Sequence, residues 1–77
     1  MADLKDTVAA NLRRLRQARK WTQEELAHRA GLSARYVGQV ERGQASMSVT
    51  VLGCLAGVLS VEPAELVQKV RRRQPSR

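Results

Sequence analysis

The stretch that decides the fold is TQEELAHRAGLSARYVGQVERG, which runs from Thr22 to Gly43. It contains two short helical signals, the first ending in Gly31 and the second starting at Ser33. Two helices joined by so short a connection have no room to lie antiparallel, so they must cross at a steep angle. The stretch therefore predicts a second helix that projects from the protein surface.

Capping residues mark both helices of this pair. Thr22 is placed to cap the first of them, and Glu25 follows three residues later, as in a capping box. Gly31 suits the left-handed position that ends a helix. Ser33 repeats the cap for the next helix, which should end at Arg42-Gly43.

Three further helices are predicted around the pair, and no segment alternates convincingly as a strand. A first helix from about Asp3 to Arg19 has an apolar stripe. A fourth begins after Ser48, places Leu52, Leu55 and Leu59 in the core, and is apolar on more than one side. A fifth starts at Pro63, a residue suited to a first helical turn. The fold class is therefore all-α, with a five-helix domain over residues 1–70 and a basic, disordered tail over residues 71–77.

Length and composition exclude several classes of function. The 77 residues make one small domain. No apolar run of about 18 residues predicts a membrane span, and the N-terminus lacks the apolar region of a secretory signal. A cytoplasmic, nucleoid-associated protein is therefore expected. One cysteine and one histidine are too few for an internal disulfide or a four-ligand zinc site. We predict no enzyme activity, no catalytic residue, no metal and no cofactor.

The net charge of +7 predicts a polyanionic partner. One basic group lies in the first helix, and a second consists of the tail residues Arg71, Arg72, Arg73 and Arg77. Charge alone also fits a solvated helix face, RNA or an anionic membrane surface. The charge therefore leaves the partner open.

A family resemblance narrows the choice. The motifs that carry it are Gln23, Leu26-Ala27, Ala30-Gly31, Leu32-Ser33, Val37, Val40, Glu41-Arg42-Gly43 and Leu55-Ala56 with Leu59. This pattern resembles the helix-turn-helix domain of phage Cro and repressor proteins, over about residues 8–67. The resemblance implies a five-helix, lambda-repressor-like domain without enzymatic chemistry. It also implies that the third helix, residues 33–42, enters the major groove of DNA.

The outer face of the third helix is predicted to contact bases. Its residues are Ala34, Arg35, Gly38 and Gln39. Arg35 is the leading candidate because a guanidinium binds guanine O6 and N7 together; a phosphate contact is its alternative. Gln39 suits adenine or guanine, and Ala34 a thymine methyl. Gly38 fits either a close approach to DNA or a tolerated exposed position.

Phosphate contacts are predicted around this helix. The residues are Gln23, Arg13, Arg14, Tyr36, Arg42 and Gln44. The resemblance assigns Gln23 its contact, at the start of the second helix, where free N–H groups favour an anion. Tyr36 either reaches a phosphate or covers the edge of the core. The resemblance also implies a partly buried structural ion pair between Arg16 and Glu41.

A homodimer on double-stranded DNA is expected. One such domain buries too little surface for tight specific binding, and members of this family bind palindromic sites as two-fold dimers. The predicted interface joins a second apolar stripe of the fourth helix to the fifth, through Val51, Cys54, Val58, Val67 and Val70.

The main prediction is a sequence-specific transcription regulator, similar to Cro-type repressors and to the controller proteins of restriction-modification operons. The alternative is an antitoxin that also binds its operator. A small protein partner fits either case: a toxin for an antitoxin, and polymerase for a regulator. RNA binding is disfavoured, because only Trp21 and Tyr36 are available to stack on bases.

Overall fold

Five helices fold into one all-α unit. The computed structural model describes residues 3–69 and has no strand within them. The helices are α1 Leu4–Ala18, α2 Gln23–Ala30, α3 Ala34–Glu41, α4 Val49–Leu59 and α5 Ala64–Val67. The predicted fold class is confirmed. The predicted interface residue Val70 and the basic tail lie outside the described residues.

Side-chain hydroxyls cap the starts of α2, α3 and α4, as predicted. The backbone N–H groups of Glu25, Tyr36 and Val51 donate to Thr22, Ser33 and Ser48, at 3.0, 3.0 and 3.1 Å. Each bond satisfies a first-turn N–H that has no partner within its own helix. The three caps therefore fix where the central helices begin.

The turn between α2 and α3 is made at Gly31. This residue has φ +70°, in the left-handed region that favours glycine. The N–H of Leu32 donates to the carbonyl of Ala27 at 2.8 Å, which closes the end of α2. Because Ser33 then caps α3 directly, the two helices are joined without a longer loop.

A single apolar core holds α3 by its inner face. Val37 and Val40 are 1% and 2% exposed. They pack with fully buried leucines from the other four helices, namely Leu12, Leu26, Leu55, Leu59 and Leu66. Burying one such side chain stabilises the fold by about 1.5–3 kcal/mol. Leu52, predicted in this core, is only half-buried, because it borders an open groove between the starts of α1 and α4.

A buried asparagine fixes α5 against α1. Asn11 is 1% exposed, and its Nδ2 donates to the carbonyls of Leu66 at 3.0 Å and Gln68 at 2.7 Å. These bonds satisfy carbonyl groups at the end of α5 that have no partner within the helix. Asn11 lies three residues after Val8 and four before Leu15, so the helical spacing already places it on the buried stripe of α1.

Two kinds of feature are absent from the part of the chain that the structure describes, namely a membrane-spanning helix and a metal-binding cluster. None of its helices is long and apolar enough to cross a membrane. Over the same residues, 3–69, no group of three or more His, Cys, Asp or Glu side chains is placed to hold a metal ion.

Candidate nucleic-acid interface

The outer face of α3 presents the predicted base-contacting side chains. A helix turns by about 100° per residue, so Arg35 and Gln39 lie opposite the buried residues Val37 and Val40. Arg35 is exposed, while Ala34 and Gln39 are half-buried. The helix therefore offers one long cation and one amide to a partner.

A buried ion pair holds this helix in position. Arg16 Nε lies 2.7 Å from Glu41 Oε2, and Arg16 Nη2 donates to Glu41 Oε1 at 3.0 Å. The two side chains are 12% and 2% exposed. Arg16 Nη1 also donates to the carbonyl of Trp21 at 2.7 Å. The predicted pair is present, and its arginine connects α1, the end of α3 and the segment before α2.

Gln23 joins the same cluster from the start of α2. Its Nε2 donates to Glu41 Oε1 at 3.1 Å. Because Glu41 is buried and already paired, this bond fixes the amide of a half-buried side chain. The residue predicted to contact phosphate is therefore held in place without DNA.

The predicted phosphate residues of α1 also have partners within the chain. Arg13 Nη1 donates to the backbone carbonyl of Glu41 at 3.0 Å, and Arg14 Nη2 donates to Asn11 Oδ1 at 3.4 Å. Both arginines are exposed. A guanidinium has five N–H donors, so these bonds leave others for an anion. Their contact with phosphate stays a prediction.

The remaining phosphate candidates are Tyr36 in the first turn of α3, and Arg42 and Gln44 after its end. The hydroxyl of Tyr36 donates its only hydrogen to the carbonyl of Ser46, at 2.9 Å. In this arrangement Tyr36 fixes the loop and has no hydrogen left for a phosphate. Arg42 Nε donates to Gln44 Oε1 at 3.2 Å, and both side chains are exposed. Arg42 and Gln44 thus form one polar pair.

Contrary to the expectation from the sequence, Gly38 is not exposed on the outer face of α3. It is buried, because the side chains of Gln23 and Arg42 lie over it. A direct base contact at Gly38 requires those side chains to move away. The base contact therefore stays a prediction, whereas the position of Gln23 and Arg42 over Gly38 is observed.

The predicted dimer interface is divided between two flanks of α4. Val51, Cys54 and Val58 lie on one flank by helical spacing; Cys54 Sγ is 3.5 Å from the carbonyl of Ala30, at the end of α2. Val67 instead borders the groove on the other flank, beside Val49. Val51 and Val58 are half-buried and pack against the core, while Cys54 is exposed. The predicted surface is not continuous across the described residues.

Comparison with known proteins supports the resemblance stated from the sequence. The helix-turn-helix family model HTH_3 matches residues 12–66. An uncharacterized HTH-type transcriptional regulator, y4dJ of Sinorhizobium fredii, is 40% identical to the chain over 65 residues, which cover 84% of each protein.

Two solved structures have a similar fold. The hypothetical transcription factor NHTF from Neisseria has a TM-score of 0.84 and 34% identity, over 87% of this chain and 77% of its own. The restriction-modification controller protein C.AhdI from Aeromonas hydrophila has a TM-score of 0.78 and 44% identity, over 80% of this chain and 94% of its own.

Glu41→Gln should lower the free energy of unfolding by about 3 kcal/mol, because the substitution leaves the Arg16 cation buried without its countercharge. Urea unfolding followed by circular dichroism measures the loss. The control is Glu25→Gln, which breaks the exposed pair of Glu25 and Arg29 at 2.6 Å and should cost less than about 0.5 kcal/mol. Equal small losses in both variants would contradict a central role for the buried pair.

Proposed function

The chain belongs to the helix-turn-helix family HTH_3, and from this membership we propose a sequence-specific transcription regulator that places α3 in the major groove of DNA. The family binds DNA and is not enzymatic. The observation that carries the proposal is the outward position of Arg35 on a helix whose other face is buried in the core.

Base recognition is assigned to three side chains of α3. The exposed guanidinium of Arg35 suits guanine, whose O6 and N7 both accept hydrogen bonds in the major groove. Gln39 lies one turn further along the same face and suits adenine or guanine. Ala34, at the start of the helix, suits contact with a thymine methyl.

Phosphate binding is assigned to polar groups on either side of α3. Gln23 stands at the start of α2 with its amide fixed by Glu41. Arg42 and Gln44 follow the end of α3. The exposed Arg13 and Arg14 add positive charge from α1. Such contacts orient a protein on the duplex without reading its sequence, and they make binding salt-dependent.

The proposal includes a homodimer on a palindromic operator, since one α3 helix reads only a half-site. Among residues 3–69, the large apolar residues with the most exposed side chains are Leu4 at 59% and Val49 at 85%, and both line the groove bordered by Val67. Asp3 and Lys5 also line this groove. In a two-fold interface a contact between one residue and a second residue of the partner copy occurs twice, with the two copies exchanged. The opposite charges of Asp3 and Lys5 therefore suit two symmetric ion pairs between copies.

This groove replaces the predicted interface as the proposed dimer surface, and only Val67 is common to both. The partners proposed are DNA and a second copy of the chain. A toxin or polymerase partner has no support among residues 3–69 or in the comparisons.

Arg35→Ala should reduce discrimination between the duplex selected by the wild-type protein and a scrambled duplex by roughly tenfold or more, because one bidentate base contact contributes about 1–3 kcal/mol of selectivity. Titration of both duplexes by fluorescence anisotropy measures the ratio. Arg29→Ala removes the same charge from an exposed position of α2 and should keep the ratio. Equal weakening on both duplexes by Arg35→Ala would make Arg35 a phosphate ligand instead.

Val49→Glu should convert the dimer to a monomer at micromolar concentration, since it places a charge in the proposed apolar interface. Sedimentation equilibrium measures the mass. Cys54→Glu is the matched control, because it adds the same charge at an exposed position on the other flank of α4. A monomeric wild-type protein would overturn the homodimer, and loss of the dimer only in Cys54→Glu would favour the interface predicted from the sequence.

A further inference from the structure

Two polar side chains meet over Gly38, one from Gln23 at the start of α2 and one from Arg42 just after α3. A Cβ atom at this position would lie 3.2 Å from Arg42 Nη1 and 3.3 Å from Gln23 Oε1, closer than ordinary van der Waals contact. Gly38 itself is buried in the middle of α3. A larger residue at position 38 would therefore require Gln23 and Arg42 to shift by at least a few tenths of an ångström.

Hydrogen bonds to neighbouring side chains hold both Gln23 and Arg42. Gln23 Nε2 donates to Glu41 Oε1 at 3.1 Å, and Glu41 is in turn paired with Arg16. Arg42 Nε donates to Gln44 Oε1 at 3.2 Å. An amide nitrogen carries two hydrogens and a guanidinium carries five. After these bonds, Gln23 Nε2 keeps one hydrogen and the guanidinium of Arg42, whose Nη1 lies over Gly38, keeps four.

We propose that Gly38 is a positioning residue that lets Gln23 and Arg42 bind the same backbone phosphate. The inference rests on the proposed DNA-binding function and deepens it. Amide and guanidinium donors are both suited to phosphate oxygens, and the charged one gives the stronger bond. Glycine within a helix is unfavourable relative to alanine, and the space that it leaves for these two side chains offsets that cost.

Gly38→Ala is the test, with affinity measured on the duplex selected by the wild-type protein. The methyl group requires the ends of the Gln23 and Arg42 side chains to shift by a few tenths of an ångström, and alanine favours the helix, so the melting temperature should change little. The displaced side chains should weaken binding roughly tenfold. The slope of log K against log salt should fall in magnitude by about one.

Gly57→Ala is the matched control. It makes the same change in α4, where a Cβ atom would meet nothing within 4 Å. DNA affinity should be unchanged in this variant. An equal loss of affinity in both glycine variants would overturn the specific role of Gly38.

A double-mutant cycle separates this role from direct contact between DNA and residue 38. Arg42→Gln should weaken binding strongly in the wild-type background and much less in the Gly38→Ala background, because the arginine is already displaced there. If Arg42→Gln has the same effect in both backgrounds, Gly38 does not position Arg42, and direct contact with DNA explains the glycine.

The position of the Gln23 side chain can also be tested in the free protein, without DNA, by nuclear magnetic resonance. The side-chain amide resonances of Gln23 in a ¹⁵N-labelled sample should shift in Gly38→Ala and stay in place in Gly57→Ala. Unchanged resonances would overturn the inference. If the resonances shift but the wild-type protein selects no DNA sequence, the proposed function fails, and the phosphate role of this pair fails with it.

Discussion

The buried ion pair between Arg16 and Glu41 is the contact on which the arrangement of the surface depends. It joins α1 to the end of α3, and through the carbonyl of Trp21 and the amide of Gln23 it also fixes the start of α2. A buried pair of this kind is weak evidence for stability. We infer that its value here is orientation, since it sets the outer face of α3 relative to the first residue of α2.

The basic residues divide into two groups once their partners are known. Arg16 and Arg19 serve the fold: Arg19 donates to the carbonyls of Leu15 and Leu59, where α1 and α4 end. Arg35 and Arg42 are exposed at α3 and available to a partner. The formal charge of +7 therefore does not by itself identify the side chains that are available to a partner. What distinguishes the second group is its position around one projecting helix.

The sequence was sufficient for features set by local geometry. Caps at Thr22 and Ser33 and the left-handed Gly31 act within one turn of helix, so they could be predicted from spacing alone. The half-buried state of Leu52 and the cover over Gly38 depend on which distant elements meet, which spacing within one helix does not specify. Asn11 was missed although its position on the buried stripe of α1 is a local signal, because its two acceptors come from α5.

The central claim is that α3 reads base sequence in the major groove as one of two copies related by two-fold symmetry. Selection of bound duplexes from a random pool by the full chain tests it most directly. The account predicts an enriched palindrome whose half-sites are centred about 10 base pairs apart, one turn of DNA, or a multiple of that distance. Recovery of duplexes with no enriched sequence would contradict it.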